Sequence, residues 1–304
     1  MDVVELHRRA SEEFVRRVTA IHPDQWDGPT PCTDWDVRAL VNHVVAEERW
    51  TVPLMTGQTI EDVGSTLDGD LLGDNPADAA TQAAHAAQLA VTEPVLTGAT
   101  VQLSYGPERA SEYAYQLATD HLVHSWDLAV AIGQDPRMDP ELVADVADWF
   151  KDKEELYRAG GAIADRVGTS LTDPQDELIG AFGRNPHWTQ AHAAVARGRL
   201  TPADLDEIRF LITTKKGLHA VKLIRERTGL DLKPSKDLYD EIRYGRFVPP
   251  VTDTPVVRRP GNNLAERTRA LKAAGDLHQA TALVVSETGM TEAEAGLFVG
   301  ALQI

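Results

Sequence analysis

The stretch from Glu112 to Gly133, EYAYQLATDHLVHSWDLAVAIG, decides the fold. It is apolar on nearly every side, so it reads as a helix buried all round, the centre of a helical bundle, closed by Gly133 and with Ser111 as its expected N-cap. Inside it stand Asp120 and His124, at i and i+4, one turn apart on the same face. A carboxylate and an imidazole so placed can chelate one cation, although such pairs also occur as plain surface interactions. His121, three residues before His124, is a competing ligand that points nearer the other edge of the helix.

Working outward, the chain reads as further helices. The first runs from about Val3 to Ile21, with Val4, Phe14, Val15, Val18 and Ile21 loosely on one stripe, and His22-Pro23 ends it. GPTPCTDWDVRAL resets the chain, and Thr33 and Asp36, spaced as a capping box, predict a helix from Asp34 to about Trp50, bent at Pro53. Asn75-Pro76 opens the alanine-rich PADAATQAAHAAQLAV, which must pack closely against its neighbours. Residues 97–107, TGATVQLSYGP, alternate like a strand, either a hairpin or an extended crossover. Asp139-Pro140 starts a helix reaching about Ala159. The fold class is all-α.

At 304 residues the chain is long enough for two parts, and 42% hydrophobic with 25% charged residues describes an ordinary soluble protein. No run approaches the roughly 20 apolar residues of a membrane span, and MDVVELHRRASEEF is too charged for a signal peptide, so a cytoplasmic protein with no membrane partner is expected. A single cysteine, Cys32, excludes an internal disulfide framework and multi-cysteine zinc modules. A net charge of −17 argues against nucleic acid, whose backbone is bound through Lys and Arg. Up to Trp188 the chain holds 33 acidic against 13 basic residues, and from 189 onward 14 against 17, a break that supports a two-part chain.

Any metal must therefore come from His and carboxylates. In VNHVVAEERW, Leu40, His43, Glu47 and Trp50 share one helical face, so polar groups interrupt an apolar stripe there too. Helical bundles build metal sites from inward-facing side chains of this kind. His43, Asp120 and His124 together give three ligands and leave an open position, the arrangement of catalytic rather than structural zinc sites; the alternative for each imidazole is a hydrogen-bonded core histidine. Glu47, one turn after His43, reads either as a group that orients that imidazole or relays a proton, or as a solvated helix residue. Cys32 lies before a helix N-terminus, a place that can lower a thiol pKa. Tyr105, Arg109 and Tyr113 flank the strand-like crossover and are candidates to hold a substrate or thiol cofactor against the metal. LDGDLLGDNPAD is dense in acid but lacks EF-hand spacing.

GPTPCTDWDVRALVNHVVAEERW, DGDLLGD and DHLVHSWDLAVAIG, in that order, resemble the DinB-like four-helix-bundle superfamily, in particular the branch related to the N-terminal domain of mycothiol-dependent maleylpyruvate isomerases, over about residues 5–188. The resemblance implies a DinB-like metal-binding bundle over 1–190, with a divalent metal, zinc or nickel, on His43, Asp120 and His124. Asp120 stands where the family usually has Glu, which keeps His121 or a bridging water open as a substitute. It further implies an enzyme that uses a low-molecular-weight thiol such as mycothiol on a small electrophile, as transferase or isomerase, and it places Cys32 in a structural turn. The rival expectations are a metal-binding adaptor without turnover and a thiol-independent hydrolytic or tailoring enzyme.

Beyond 200, LHAVKLIRERTGLDLKPSKDLY (218–239) aligns without gaps on HQATALVVSETGMTEAEAGLFV (278–299), a period of 60 residues. The first copy, through Lys222, Arg225, Thr228, Gly229, Leu230, Leu232, Lys233, Lys236 and Asp237, resembles the C-terminal domain of the bacterial ribosomal stalk protein. Two small helical units are expected, over 200–246 and 262–304, led by helices at Leu205–Thr214 and Leu264–Ala273. Their implied roles are binding a protein partner, or self-association and covering the bundle. RYGRFVPPVTDTPVVRRPGNN between them reads as an extended linker.

Overall fold

A computed structural model gives the fold. It describes residues 1–32, 35–159, 163–168, 173–190, 192, 200–230, 232–245 and 247, and of the remainder 268, 271–272, 275–288, 295–296 and 299. In chain order the described elements are α1 (Val3–Val18), α2 (Val37–Met55), α3 (Ile60–Val63), α4 (Pro76–Thr97), β1 (Thr100–Leu103), β2 (Gly106–Arg109), α5 (Ala110–Ile132), α6 (Pro140–Phe150), α7 (Glu154–Ala159), α8 (Pro174–Ala181), α9 (Pro202–Thr213), α10 (Gly217–Thr228), α11 (Leu232–Arg243) and α12 (Leu277–Thr288). The fold is all-α, its described strands forming one antiparallel hairpin. No described helix is long and apolar enough to cross a membrane.

Four long helices, α1, α2, α4 and α5, pack on one another as the bundle. Helix α5 is its centre because 17 of its 23 residues are buried. From Leu117 to Ala129 every residue is buried except Asp120. Around it the core forms three regions. Leu122 and Trp126 pack with Leu6, Leu142 and Ile179; Leu128 with Phe14, Leu40 and Val44; and Leu117 with Leu54, Val91 and Val101 of the hairpin. The small side chains of Ala80, Ala83, Ala84 and Ala87 give α4 its close approach to α2.

Several boundaries differ from the sequence reading. Helix α1 stops at Val18, and the approach to Pro23 is made by tight turns, with the Ile21 amide bonded to the Val18 carbonyl. Helix α2 starts at Val37, where Asp36 itself is the N-cap and accepts from the Ala39 amide at 2.8 Å; Thr33 and Asp34 lie outside the described residues. It runs on through Pro53 to Met55. Helix α4 likewise passes Pro94 and ends at Gly98, whose φ of 69° suits glycine. Ser111 is not the cap of α5: strand β2 leads straight into the helix, Arg109 occupies the cap position, and the Ala110 amide is satisfied by the Ala99 carbonyl. The helix expected from 140 to 159 is broken by a turn at 151–153 into α6 and α7.

Since Asp36 anchors the start of the helix that carries His43, its loss is measurable. Asp36→Ala is expected to cost about 1 kcal/mol of stability, read as a lower urea midpoint at unchanged slope.

Beyond the bundle, α9, α10 and α11 form a three-helix unit around Leu205, Ile208, Ala220, Ile224 and Leu238. Thr201 and Asp204 cap α9 reciprocally, and Gly229 ends α10 with a φ of 73°. Of the second unit, α12 is described, with a small core of Ala280, Val284, Ala295 and Val299. The repeat is visible in burial: Ala220 and Ala280, Ile224 and Val284, and Ser235 and Ala295, each pair 60 positions apart, are all fully buried. Most of the leading helix expected at Leu264–Ala273, and nearly all of the linker before it, lie outside the described residues.

Candidate metal centre

The only opening in the buried span of α5 is at Asp120, and His43 of α2 comes to it from the facing helix. Ligand atoms of His43, Asp120 and His124 all lie within 4.8 Å of one another. His43 Nε2 stands 3.5 Å from Asp120 Oδ2, and His124 Nε2 stands 3.3 Å from Asp120 Oδ1. Donor atoms bound about 2 Å from one tetrahedral ion are about 3.3 Å apart, so the spacing suits a single small cation. Asp120 Oδ2 is buried with no hydrogen-bond partner, a condition that native interiors rarely leave standing. The side chains of His43 and Asp120 are 28% and 32% exposed and that of His124 is 6%; the trio therefore opens to solvent on the His43–Asp120 side. The indole of Trp35 covers both imidazoles, its ring centre 4.6 Å from His43 and 5.7 Å from His124.

Behind His124 lies a second layer of polar groups. His124 Nδ1 donates to Asp127 Oδ2 at 2.9 Å, which directs Nε2 outward to Asp120. The same carboxylate oxygen accepts from Arg184 Nη2 at 3.0 Å and from the Cys32 thiol at 3.4 Å. Asp127 is the hub of this network. Its signal was present, since Asp120, His124 and Asp127 fall at i, i+4 and i+7 on one face. Arg184, in AFGRNPHW, carried no periodic signal.

The electrostatics follow from burial working against close opposite charges. Burial alone would raise Asp120, but the imidazoles of His124 and His43 hold it well below the ordinary carboxylate range. Burial would likewise lower His124, and Asp120 and Asp127 instead raise it well above its ordinary value. Asp127 is opposed by burial and brought down chiefly by Arg184. Glu47 is pushed up by burial and by the charge of Asp120. Cys32 is also pushed up, by burial and then by Asp127, so the helix N-terminus does not activate this thiol.

His121 does not join His43. It turns instead toward Glu48, which its Nε2 meets, while Nδ1 donates to the Leu117 carbonyl. Tyr113 is buried beside Leu117 and Leu54, within the electrostatic reach of Glu47. Tyr105 sits at the hairpin turn, where its phenol accepts from Gln116 Nε2 at 2.6 Å, and burial pushes its pKa up to about 12. Arg109 ends β2, exposed. Neither Tyr105 nor Arg109 has a described contact with the His43, Asp120 and His124 cluster.

A family model described as the mycothiol maleylpyruvate isomerase N-terminal domain matches residues 7–129. That span holds His43, Glu47, Asp120, His124 and Asp127, and stops short of Arg184 and of the C-terminal units. Two uncharacterized proteins of Mycobacterium tuberculosis, Rv0738 of strain H37Rv and MT0763 of strain CDC 1551, are each 31% identical over 149 residues, which is 48% of this chain and 75% of theirs. No solved structure matches the chain at a significant level.

Proposed function

The chain belongs to the mycothiol maleylpyruvate isomerase N-terminal domain family, and from that premise we propose that it is a divalent-metal-dependent enzyme. It would present a low-molecular-weight thiol, mycothiol or a close relative, to a small electrophile and act as a transferase or isomerase in the cytoplasm. The observation that carries the reading is Asp120 Oδ2, buried without a hydrogen-bond partner between two imidazoles and beside an opening. His43, Asp120 and His124 would hold zinc or nickel, donors of a type both ions accept. When bound, the metal supplies Lewis-acid chemistry that keeps a coordinated thiol deprotonated near neutral pH.

The protein's own groups supply the rest. Asp127 fixes the tautomer and the direction of His124, and Arg184 holds Asp127 in place. Trp35 walls off one side of the imidazoles and excludes water there. Glu47, one turn beyond His43, has a carboxyl raised above its ordinary value. A raised carboxylate is a better proton acceptor near neutrality, so Glu47 takes the thiol proton at its side-chain oxygen and returns it after the thiol sulfur has attacked.

Cobalt substitution tests the proposal. Added mycothiol is expected to change the visible spectrum of the cobalt-loaded protein, with a new thiolate-to-metal band. A spectrum that responds to pH but not to millimolar thiol would sink the thiol reading in favour of hydrolytic chemistry by a bound hydroxide.

A further inference from the structure

A second group of potential ligands lies deeper in the bundle, outside the opening at His43. His7 comes from α1, Glu48 from α2 and His121 from α5, with side chains 1%, 3% and 1% exposed. Their ligand atoms all lie within 4.8 Å of one another. His121 Nε2 is 2.6 Å from Glu48 Oε1, and His7 Nε2 is 4.0 Å from Glu48 Oε2. His7 Nε2 is buried with no hydrogen-bond partner, while Glu48 is paired with His121 and approached by the Ser11 hydroxyl.

We infer that His7, Glu48 and His121 form a second, enclosed site for a divalent transition metal such as zinc, one that ties α1, α2 and α5 together. Buried polar atoms are almost always paired, and an orphaned imidazole nitrogen beside a buried carboxylate and a second imidazole points to something that satisfies the three groups together. The pairing of Glu48 with His121 and Ser11 leaves His7 Nε2 unsatisfied. A dication at the centre serves His7, Glu48 and His121 at once. The observed 2.6 and 4.0 Å bracket the roughly 3.3 Å between donors on one tetrahedral ion.

His121 is prepared for this role. Its Nδ1 donates to the Leu117 carbonyl, the outer bond that metal-bound histidines usually make, and this turns Nε2 toward Glu48. Phe14 meets the His121 ring edge-on, and His7 and His121 stand at right angles, their centres 5.4 Å apart. With side chains only 1% to 3% exposed the site is enclosed and structural, in contrast to the open trio at His43.

The test uses the full chain, loaded with zinc sulfate alone and desalted, with metal counted by mass spectrometry. Two zinc ions per chain are expected in the wild type, and one in each of His43→Ala, His7→Gln and Glu48→Gln. A wild type that binds at most one zinc, lost in His43→Ala, overturns the inner site and leaves the trio as a proton-sharing network. A His7→Gln chain that keeps the wild-type count overturns it as well. Because substitution of a buried group can unfold the bundle, anomalous diffraction at the zinc edge from zinc-loaded wild-type crystals decides the matter without variants. A peak among His7, Glu48 and His121 supports the site, and the lack of one there refutes it, whatever is found at His43.

Discussion

His43→Ala and His124→Ala each bind one divalent ion fewer per chain than the wild type, while the bundle keeps its helical content. The first part follows from ligand number. Loss of an outer partner of a metal ligand already costs 10–100-fold in affinity, so removal of one of three direct ligands is expected to weaken binding by more than about 100-fold, below what survives desalting. The second part follows from where the side chains sit. The His43 side chain is 28% exposed, whereas that of His124 is 6% exposed and bonds Asp127, so His124→Ala lowers stability; neither side chain belongs to the apolar core of Leu40, Leu122, Trp126 and Leu128 that holds the helices together. Metal analysis by mass spectrometry together with far-UV circular dichroism checks both. Retention of the full metal count in both variants would show that the ion, if any, binds elsewhere.

The bundle was legible because its centre is written in one helix. A segment apolar on all sides can only be buried, and the polar residues that interrupt it must then have a reason. Spacing along α2 and α5 is enough to put Asp120, His124 and His43 each on a defined face. Local bonds were less legible. Asp36 rather than Thr33 caps α2, and Ser111 caps nothing, because a strand entering a helix directly supplies the missing partner from the hairpin backbone. Prolines 53 and 94 do not end their helices, since packing along α2 and α4 outweighs a single lost hydrogen bond.

What joins distant segments was least legible. Arg184 and Cys32 meet Asp127 from 57 and 95 residues away, and His7 meets Glu48 across two helices; no periodicity within one element encodes such a meeting. His121 shows the limit most clearly. Its spacing makes it a rival to Asp120, and only the position of α1 and α2 around α5 assigns it to Glu48 and His7.

Asp127→Asn is the sharpest probe of the network behind the opening, because it alters charge and leaves shape unchanged. Asp127 is fully buried, and its carboxylate serves three donors at once: His124 Nδ1, Arg184 and the Cys32 thiol. An asparagine has one oxygen to offer. If that oxygen takes the place of Oδ2 it still accepts from His124, Arg184 Nη2 and Cys32, and the amide nitrogen then points at Arg184 Nε; in the flipped amide the nitrogen points at His124 Nδ1. Arg184, its side chain 17% exposed, is left without its counter-charge. Removing one partner of a buried charged pair costs about 3–5 kcal/mol, and the chelator-treated protein should lose about that much in urea unfolding, a measurement in which no bound metal contributes. Metal affinity should fall a further 10–100-fold, as expected when the outer partner of a ligating histidine is lost, read by competition with a chromogenic chelator. Cys32→Ser, which keeps a donor toward Asp127, should move neither quantity much. A change in unfolding below about 1 kcal/mol in Asp127→Asn would mean that Arg184 finds water or another acceptor, and that Asp127 is not the group holding His124 toward the opening.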